Sequence, residues 1–312
     1  MVSRSPVDDP RISVSFRGLI ALENAAKRLR KSFSFRPSGM FAGRHRSKIR
    51  GQGLDFEELR PFRQGDTLKQ VDWKASSRVG KRVVKVFSEE TDRPALVVVN
   101  MKASMLFGSQ TQTKAVVAAQ AAAFIAFLLA DHGDRVGGLV LRDDGVDSYK
   151  PNRTRSGLLR FLRGVSQANR QLVTDVVKDQ QGPLIRDVIN QALALSGSNG
   201  TIAIITDSYG FTSVEVDLLR THSMSHNIMV FVVSDPLEVS YAQAKGLVVS
   251  DGTFQFRLQD NDEEEALYRQ AMAEDVTRLR DAVKLSGLPF GILYSNETCD
   301  KQMRHLLMGG VG

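Results

Sequence analysis

One cysteine, Cys299, is all that the 312-residue chain contains, so an internal disulfide and a cysteine-cluster metal site are both excluded. A lone thiol fits a reducing compartment. The N-terminal stretch Met1 to Pro10 lacks the apolar segment of a signal peptide. The longest apolar run, Ala115 to Ala130, is broken by Gln120 and bounded by Lys114 and Asp131. It falls short of the roughly 20 residues that span a bilayer, and reads as a buried helix. A soluble, cytoplasmic protein is expected.

Catalytic and cofactor signals are also scarce. His222 and His226 have helical i, i+4 spacing, but no Glu follows His222 in the metalloprotease arrangement and no third ligand is indicated. A Gly-x-Ser-x-Gly elbow and a Gly-Lys-Ser/Thr phosphate loop are both missing. Cys299 has no paired base in the sequence around it. Asp207 and Asp235 follow successive strand candidates and form a conceivable carboxylate pair, though loop geometry also places such residues there. A non-enzymatic protein without cofactors is expected.

What is present begins with charge. The net charge is +7, and it is uneven: residues 1–100 hold 21 Lys+Arg and 11 Asp+Glu, leaving the remainder slightly acidic. Much of the excess lies in Lys27, Arg28, Arg30, Lys31, Arg36, Arg44, Arg46, Lys48 and Arg50, with Phe33, Phe35 and Phe41 among them. Such a stretch suits nucleic acid or an acidic lipid surface. It equally suits a solvated arm whose phenylalanines anchor it to its own domain.

Hydrophobic residues make up 42% of the chain, enough for a sizeable core. From residue 95 onward, continuous apolar runs of strand length recur at 95–100, 136–141, 201–206, 228–233 and 290–294. Continuous rather than alternating runs indicate strands buried on both faces, as in a parallel sheet. Helical segments fall between them at 111–131, 155–167, 183–196, 212–225 and 262–286. The alternation predicts an α/β fold: a doubly wound, mostly parallel sheet, with any ligand beyond the carboxyl ends of its strands. The chain divides into a basic N-terminal arm and helix at 1–50, a β-containing elaboration at 51–94, the sheet domain at 95–300 and a tail at 301–312.

The elaboration has a dense pattern of its own. Asp55, Glu57, Glu58, Arg60, Arg63, Asp66, Asp72, Lys74 and Arg78 are interleaved around Trp73, the only tryptophan. Opposite charges this close form either a structural ion-pair network or a polar interface to a partner. Gly53 and Gly65 are expected to permit positive-φ turns, and Trp73 to be a packing anchor. The run Gly51-Gln52-Gly53-Leu54-Asp55-Phe56-Glu57-Glu58-Leu59-Arg60-Pro61-Phe62-Arg63-Gln64-Gly65-Asp66 resembles the signature of the bacterial "domain of unknown function 58" family. The likeness continues through Val71-Asp72-Trp73-Lys74-Ala75-Ser76-Ser77-Arg78 to Glu89-Glu90. Gly133-Asp134-Arg135-Val136-Gly137, Ile205-Thr206-Asp207 and Ser234-Asp235-Pro236-Leu237-Glu238 then follow in order, so it spans roughly residues 15–300.

The resemblance implies a von Willebrand factor A-like sheet domain. It further implies a role as adaptor or chaperone partner of a MoxR-type AAA+ ATPase, acting on an unknown client, in the short form without transmembrane helices. A von Willebrand A domain holds Mg²⁺ or Mn²⁺ through an Asp-x-Ser-x-Ser loop with a distant Thr and Asp, using hard oxygen ligands. The corresponding loop here is Asn100-Met101-Lys102-Ala103-Ser104, with Thr154 the candidate threonine and Asp207 the retained carboxylate. An ammonium has no acceptor and cannot ligate a cation. The expectation is therefore a degenerate metal site in which Lys102 fills the ion's space and pairs with Asp207, or else turns to solvent. Asn100, Lys102, Ser104, Thr154 and Asp207 would together form a partner-binding face.

Overall fold

The structure, a computed structural model, describes residues 8–32, 55–63, 66–88, 93–174, 182–239, 248–250, 255–257 and 277–307. The chain separates into two units, one of residues 1–44 with 93–312 and one of residues 45–92.

The larger unit is built on a six-stranded sheet: β3 (Pro94–Asn100), β4 (Arg135–Arg142), β5 (Gly145–Asn152), β6 (Thr201–Thr206), β7 (Asn227–Ser234) and β10 (Phe290–Tyr294). Their spatial order is β10-β7-β6-β3-β4-β5. All neighbours are parallel except β4 and β5, which are antiparallel. The expected doubly wound, mostly parallel sheet is thus the fold. Chain order runs outward from β3 in one direction through β4 and β5, then returns to β6 and runs the other way. The switch point lies between β3 and β6.

Strand β3 shows why the apolar runs are continuous. Ala95, Val97 and Val99 enter one core, and Leu96 and Val98 enter the other. The first core is closed by α1 (Phe16–Ala21), α2 (Glu23–Ser32), α4 (Lys114–Asp131), α5 (Arg155–Thr174) and α10 (Cys299–Leu307), the second by α6 (Ile185–Ser196), α7 (Ser213–His222) and α9 (277–286). Helix α4 is apolar on every side because α2, α5, α10 and the sheet surround it. It is long and apolar enough to cross a membrane, yet it is buried within the unit. On β4, Gly138 leaves room for the Phe161 ring, which a Cβ would strike. Phe161 also packs edge-on against Tyr149 at 5.7 Å. Residues 301–307, assigned to a tail by sequence, continue α10 and bury Met303, Leu306 and Leu307. The short helix α8 (Pro236–Val239) follows β7, and a short hairpin pairs β8 (Val248–Ser250) with β9 (Gln255–Arg257).

The smaller unit pairs β1 (Asp55–Pro61) with β2 (Val83–Ser88) in antiparallel register, with α3 (Trp73–Val79) between them. Asp72 caps α3 by accepting from the Ala75 N–H at 2.9 Å. Gly80 ends it at φ 68°, where a side chain would be strained.

Candidate functional site

The carboxyl ends of β3, β6 and β7 deliver Asn100, Asp207 and Asp235 to the switch point, where α/β sheets place their ligands. The first residue of α4 reaches the same place. Lys114 is 3% exposed, and its Nζ lies 3.0 Å from Asp207 Oδ2 and 2.6 Å from Glu238 Oε1. This corrects the expectation for Lys102. Lys102 is half-buried and its Nζ donates to the Pro183 carbonyl at 3.3 Å, so it neither pairs with Asp207 nor turns out to solvent. The ammonium beside Asp207 comes from a residue twelve positions further on.

The remaining polar atoms of this centre are matched in turn. Asn100 Nδ2 donates to Thr206 Oγ1 at 3.2 Å and Asp207 Oδ1 at 3.3 Å, while its Oδ1 accepts from the Lys102 N–H at 3.0 Å. An aspartate there would set a second carboxylate against Asp207, so the amide is what permits the contact. Glu238 Oε2 accepts from Ser234 Oγ at 3.0 Å and from the Asp235 N–H at 2.9 Å. Asp235 accepts from Ser109 N (2.9 Å), Ser109 Oγ (2.5 Å), Leu237 N (2.9 Å) and Ser295 Oγ. It thereby staples the segment before α4 to the ends of β7 and β10.

Burial pulls the Lys114 ammonium down, but the charges of Asp207 and Glu238 outweigh it and hold its pKa above the ordinary lysine value. Lys114 is therefore charged at neutral pH. A helix N-terminus disfavours a cation, so the two carboxylates fix this residue and the helix does not. A divalent ion between Asp207 and Glu238 would meet that ammonium at contact distance in a dry site, and the residues do not fit such an ion. Among the described residues, no group of three or more His, Cys, Asp or Glu is arranged to hold a metal.

Ser104 lies in the 3-10 turn Ala103–Met105 just above the strand end, with Ala103 N donating to Asp143 Oδ2 at 2.8 Å. Thr154 is elsewhere. Because β5 runs antiparallel, Asn152 lies opposite Val136, at the amino end of the parallel strands. Thr154 there accepts from the Gly157 N–H in the first turn of α5. It is a helix-capping residue at the end of the sheet remote from Asp207, which corrects its expected place in the face. Asp207 and Asp235 do occupy neighbouring strand ends, but one faces an ammonium and the other neutral donors. His222 and His226 stack edge-on, ring centres 6.0 Å apart. Burial pushes the Cys299 thiol up, with Asp300 adding to it, so it is no nucleophile at neutral pH.

Exposed apolar side chains lie around the closed centre. Leu184 adjoins Pro183, the acceptor for Lys102. Arg186 joins the first turns of α6 and α7 through Glu215 at 3.0 Å. Val214 is exposed in that turn of α7, and Tyr209, on the segment leaving β6, is 79% exposed.

The signature block is partly described. Arg60 holds Asp66 with two parallel bonds of 2.8 and 2.6 Å, and the Arg63 N–H adds a third at 2.7 Å. Asp66 thus pairs with Arg60, and Asp72 serves as a helix cap. The side chains of Asp55, Glu57 and Glu58, and residues Gly53, Gly65, Glu89 and Glu90, lie outside the described residues. So do residues 33–50 of the basic arm and 51–54 of the elaboration. Trp73, expected as a packing anchor, is 61% exposed.

Sequence reasoning missed Lys114 and Glu238. A faint signal was available for the first: a lysine opening an otherwise wholly apolar helix, directly after the cap Thr113, where a cation needs a special reason.

Residues 58–281 match the family described as protein of unknown function DUF58. Uncharacterized proteins of Mycobacterium bovis and of two strains of Mycobacterium tuberculosis are 24% identical over 264 residues, covering 80% of this chain and 73% of each relative. The matched span runs from β1 past the whole switch-point centre, Asn100 to Glu238.

Proposed function

The chain belongs to the DUF58 family of proteins of unknown function, and from that premise and the switch-point geometry we propose a non-enzymatic, cytoplasmic protein-interaction adaptor. Its partner is a MoxR-type AAA+ ATPase, as the resemblance of the signature block implies. The observation that carries the reading is the pairing of a closed, charge-satisfied centre with an exposed apolar rim. Lys114 fills the position between Asp207 and Glu238, so a partner gains nothing from a bridging metal. Leu184, Tyr209 and Val214 offer contact area beside it, with Lys102 and Arg186 as the nearby cations. An aromatic anchor flanked by aliphatic and basic side chains is the composition of an interface hot spot.

The test is capture of partners by the tagged protein from its own cell lysate, with and without ATP, read by mass spectrometry. Recovery of a MoxR-type ATPase, weakened at least tenfold by Tyr209→Ala with Leu184→Ala, is the expected result. Nuclease-sensitive material without the ATPase would overturn the reading and point instead to the basic stretch 27–50 as a binder of anionic surfaces.

A further inference from the structure

The smaller unit carries a surface of a different kind. Helix α3 has no buried residue. At 100° per residue, Trp73 and Ser77 stand one turn apart, with Lys74 and Arg78 beside them on the same outward arc. Ala75 and Ser76 turn inward, Ser76 Oγ accepting from the Val83 N–H at 3.0 Å. Leu68, in the 3-10 turn before the helix, and Val79, its last residue, are also exposed.

Cations predominate along this stretch. Between Thr67 and Arg82 lie Lys69, Lys74, Arg78, Lys81 and Arg82, all exposed, against a single acid, Asp72. The Asp72 carboxylate is turned to its own helix as the cap. Among the described residues, none of the five cations pairs with a carboxylate. Nearby Asp66 is held by Arg60.

We propose that the outer face of α3 docks an acidic protein segment that carries an apolar side chain to cover Trp73. Charge complementarity sets the acidic character, and the exposed indole sets the apolar contact. A single-stranded nucleic acid would call for a series of aromatic platforms, and this arc has one. A membrane surface would call for an apolar helix face, whereas Lys74 and Arg78 share the arc with Trp73. The proposal is argued from the smaller unit alone, and its test does not depend on the switch-point reading.

The experiment replaces Trp73 with a photo-cross-linking residue in the full-length protein and irradiates it in its native cells. The expected product joins position 73 to a protein peptide of net negative charge. K74E/R78E in the same background should lower its yield at least tenfold while leaving the circular dichroism spectrum unchanged. A neutral or basic peptide, lipid, nucleic acid, this chain itself, or no product overturns the proposal. A second measurement uses the purified wild-type protein, in which Trp73 is the only tryptophan. Relative to free N-acetyltryptophanamide, its emission should be quenched several-fold more strongly by iodide than by caesium, and K74E/R78E should abolish that excess. An iodide-to-caesium ratio no higher than that of N-acetyltryptophanamide overturns the cationic surface on which the proposal stands.

Discussion

Charges are treated in opposite ways in two regions of this chain. At the switch point, Lys114, Asp207, Asp235 and Glu238 are buried or nearly so, and each carboxylate accepts from defined donors. On α3, Lys74 and Arg78 are exposed and the adjacent tryptophan is uncovered. The first region has a single arrangement because an unpaired charge in a dry site is very costly. The second stands in water, where an unpaired cation costs little and remains available to a partner. Pairing inside therefore reports on stability, while the unpaired cations outside leave stability almost untouched.

The sharpest way to break this contrast is to remove the internal cation. Lys114→Met leaves Asp207 and Glu238 facing each other without compensation and should cost about 3–5 kcal/mol, measured by urea unfolding. Adding Asp207→Asn should recover part of the loss. Because Asp207 and Glu238 raise the Lys114 pKa, its contribution is complete at neutral pH. It is lost only as pH climbs above the ordinary lysine value.

Asp235→Ala comes next. It strands the donors Ser109 N, Ser109 Oγ, Leu237 N and Ser295 Oγ, with an expected loss of about 2–4 kcal/mol. Hydrogen exchange should speed up most in residues 106–113.

Asp66→Ala should cost about 1–2 kcal/mol through the loss of the bidentate Arg60 contact. Its effect should appear as faster exchange confined to β1 and β2.

The smallest effect is expected at the α2–α5 contact. Arg155 holds Glu23 at 2.6 and 2.7 Å and lowers its pKa to about 2, with Lys27 adding to the shift. Arg155 is mostly exposed, so Glu23→Gln should cost under about 1 kcal/mol. The unfolded chain protonates Glu23 first as pH falls. The contribution is thus present above the ordinary carboxylate range and fades between there and about pH 2. Glu23→Gln should remove that part of the acid dependence.

Much of the sheet was legible in the sequence. Strands β3, β4, β6, β7 and β10 are continuous apolar runs because both faces are covered. Strand β5 was not read, since at the edge its Gly145–Asn152 sequence carries Asp147, Lys150 and Pro151 and gives no apolar run. Helix α10 was hidden in the same way, because only one side of Cys299–Leu307 is buried. At the site, Asn100 and Asp207 were placed by strand ends, which sequence locates well. Lys114 was not, because its pairing depends on α4 returning its first residue to the end of β6, and no spacing rule encodes that return. Thr154 was misplaced because the direction of β5 was not known.

The central claim, that the Lys114 ammonium takes the place of an ion between Asp207 and Glu238, is tested most directly by calorimetric titration of the wild-type protein with Mg²⁺ and Mn²⁺. The account predicts no micromolar binding of either ion at neutral pH. Micromolar binding that disappears in Asp207→Asn would contradict it.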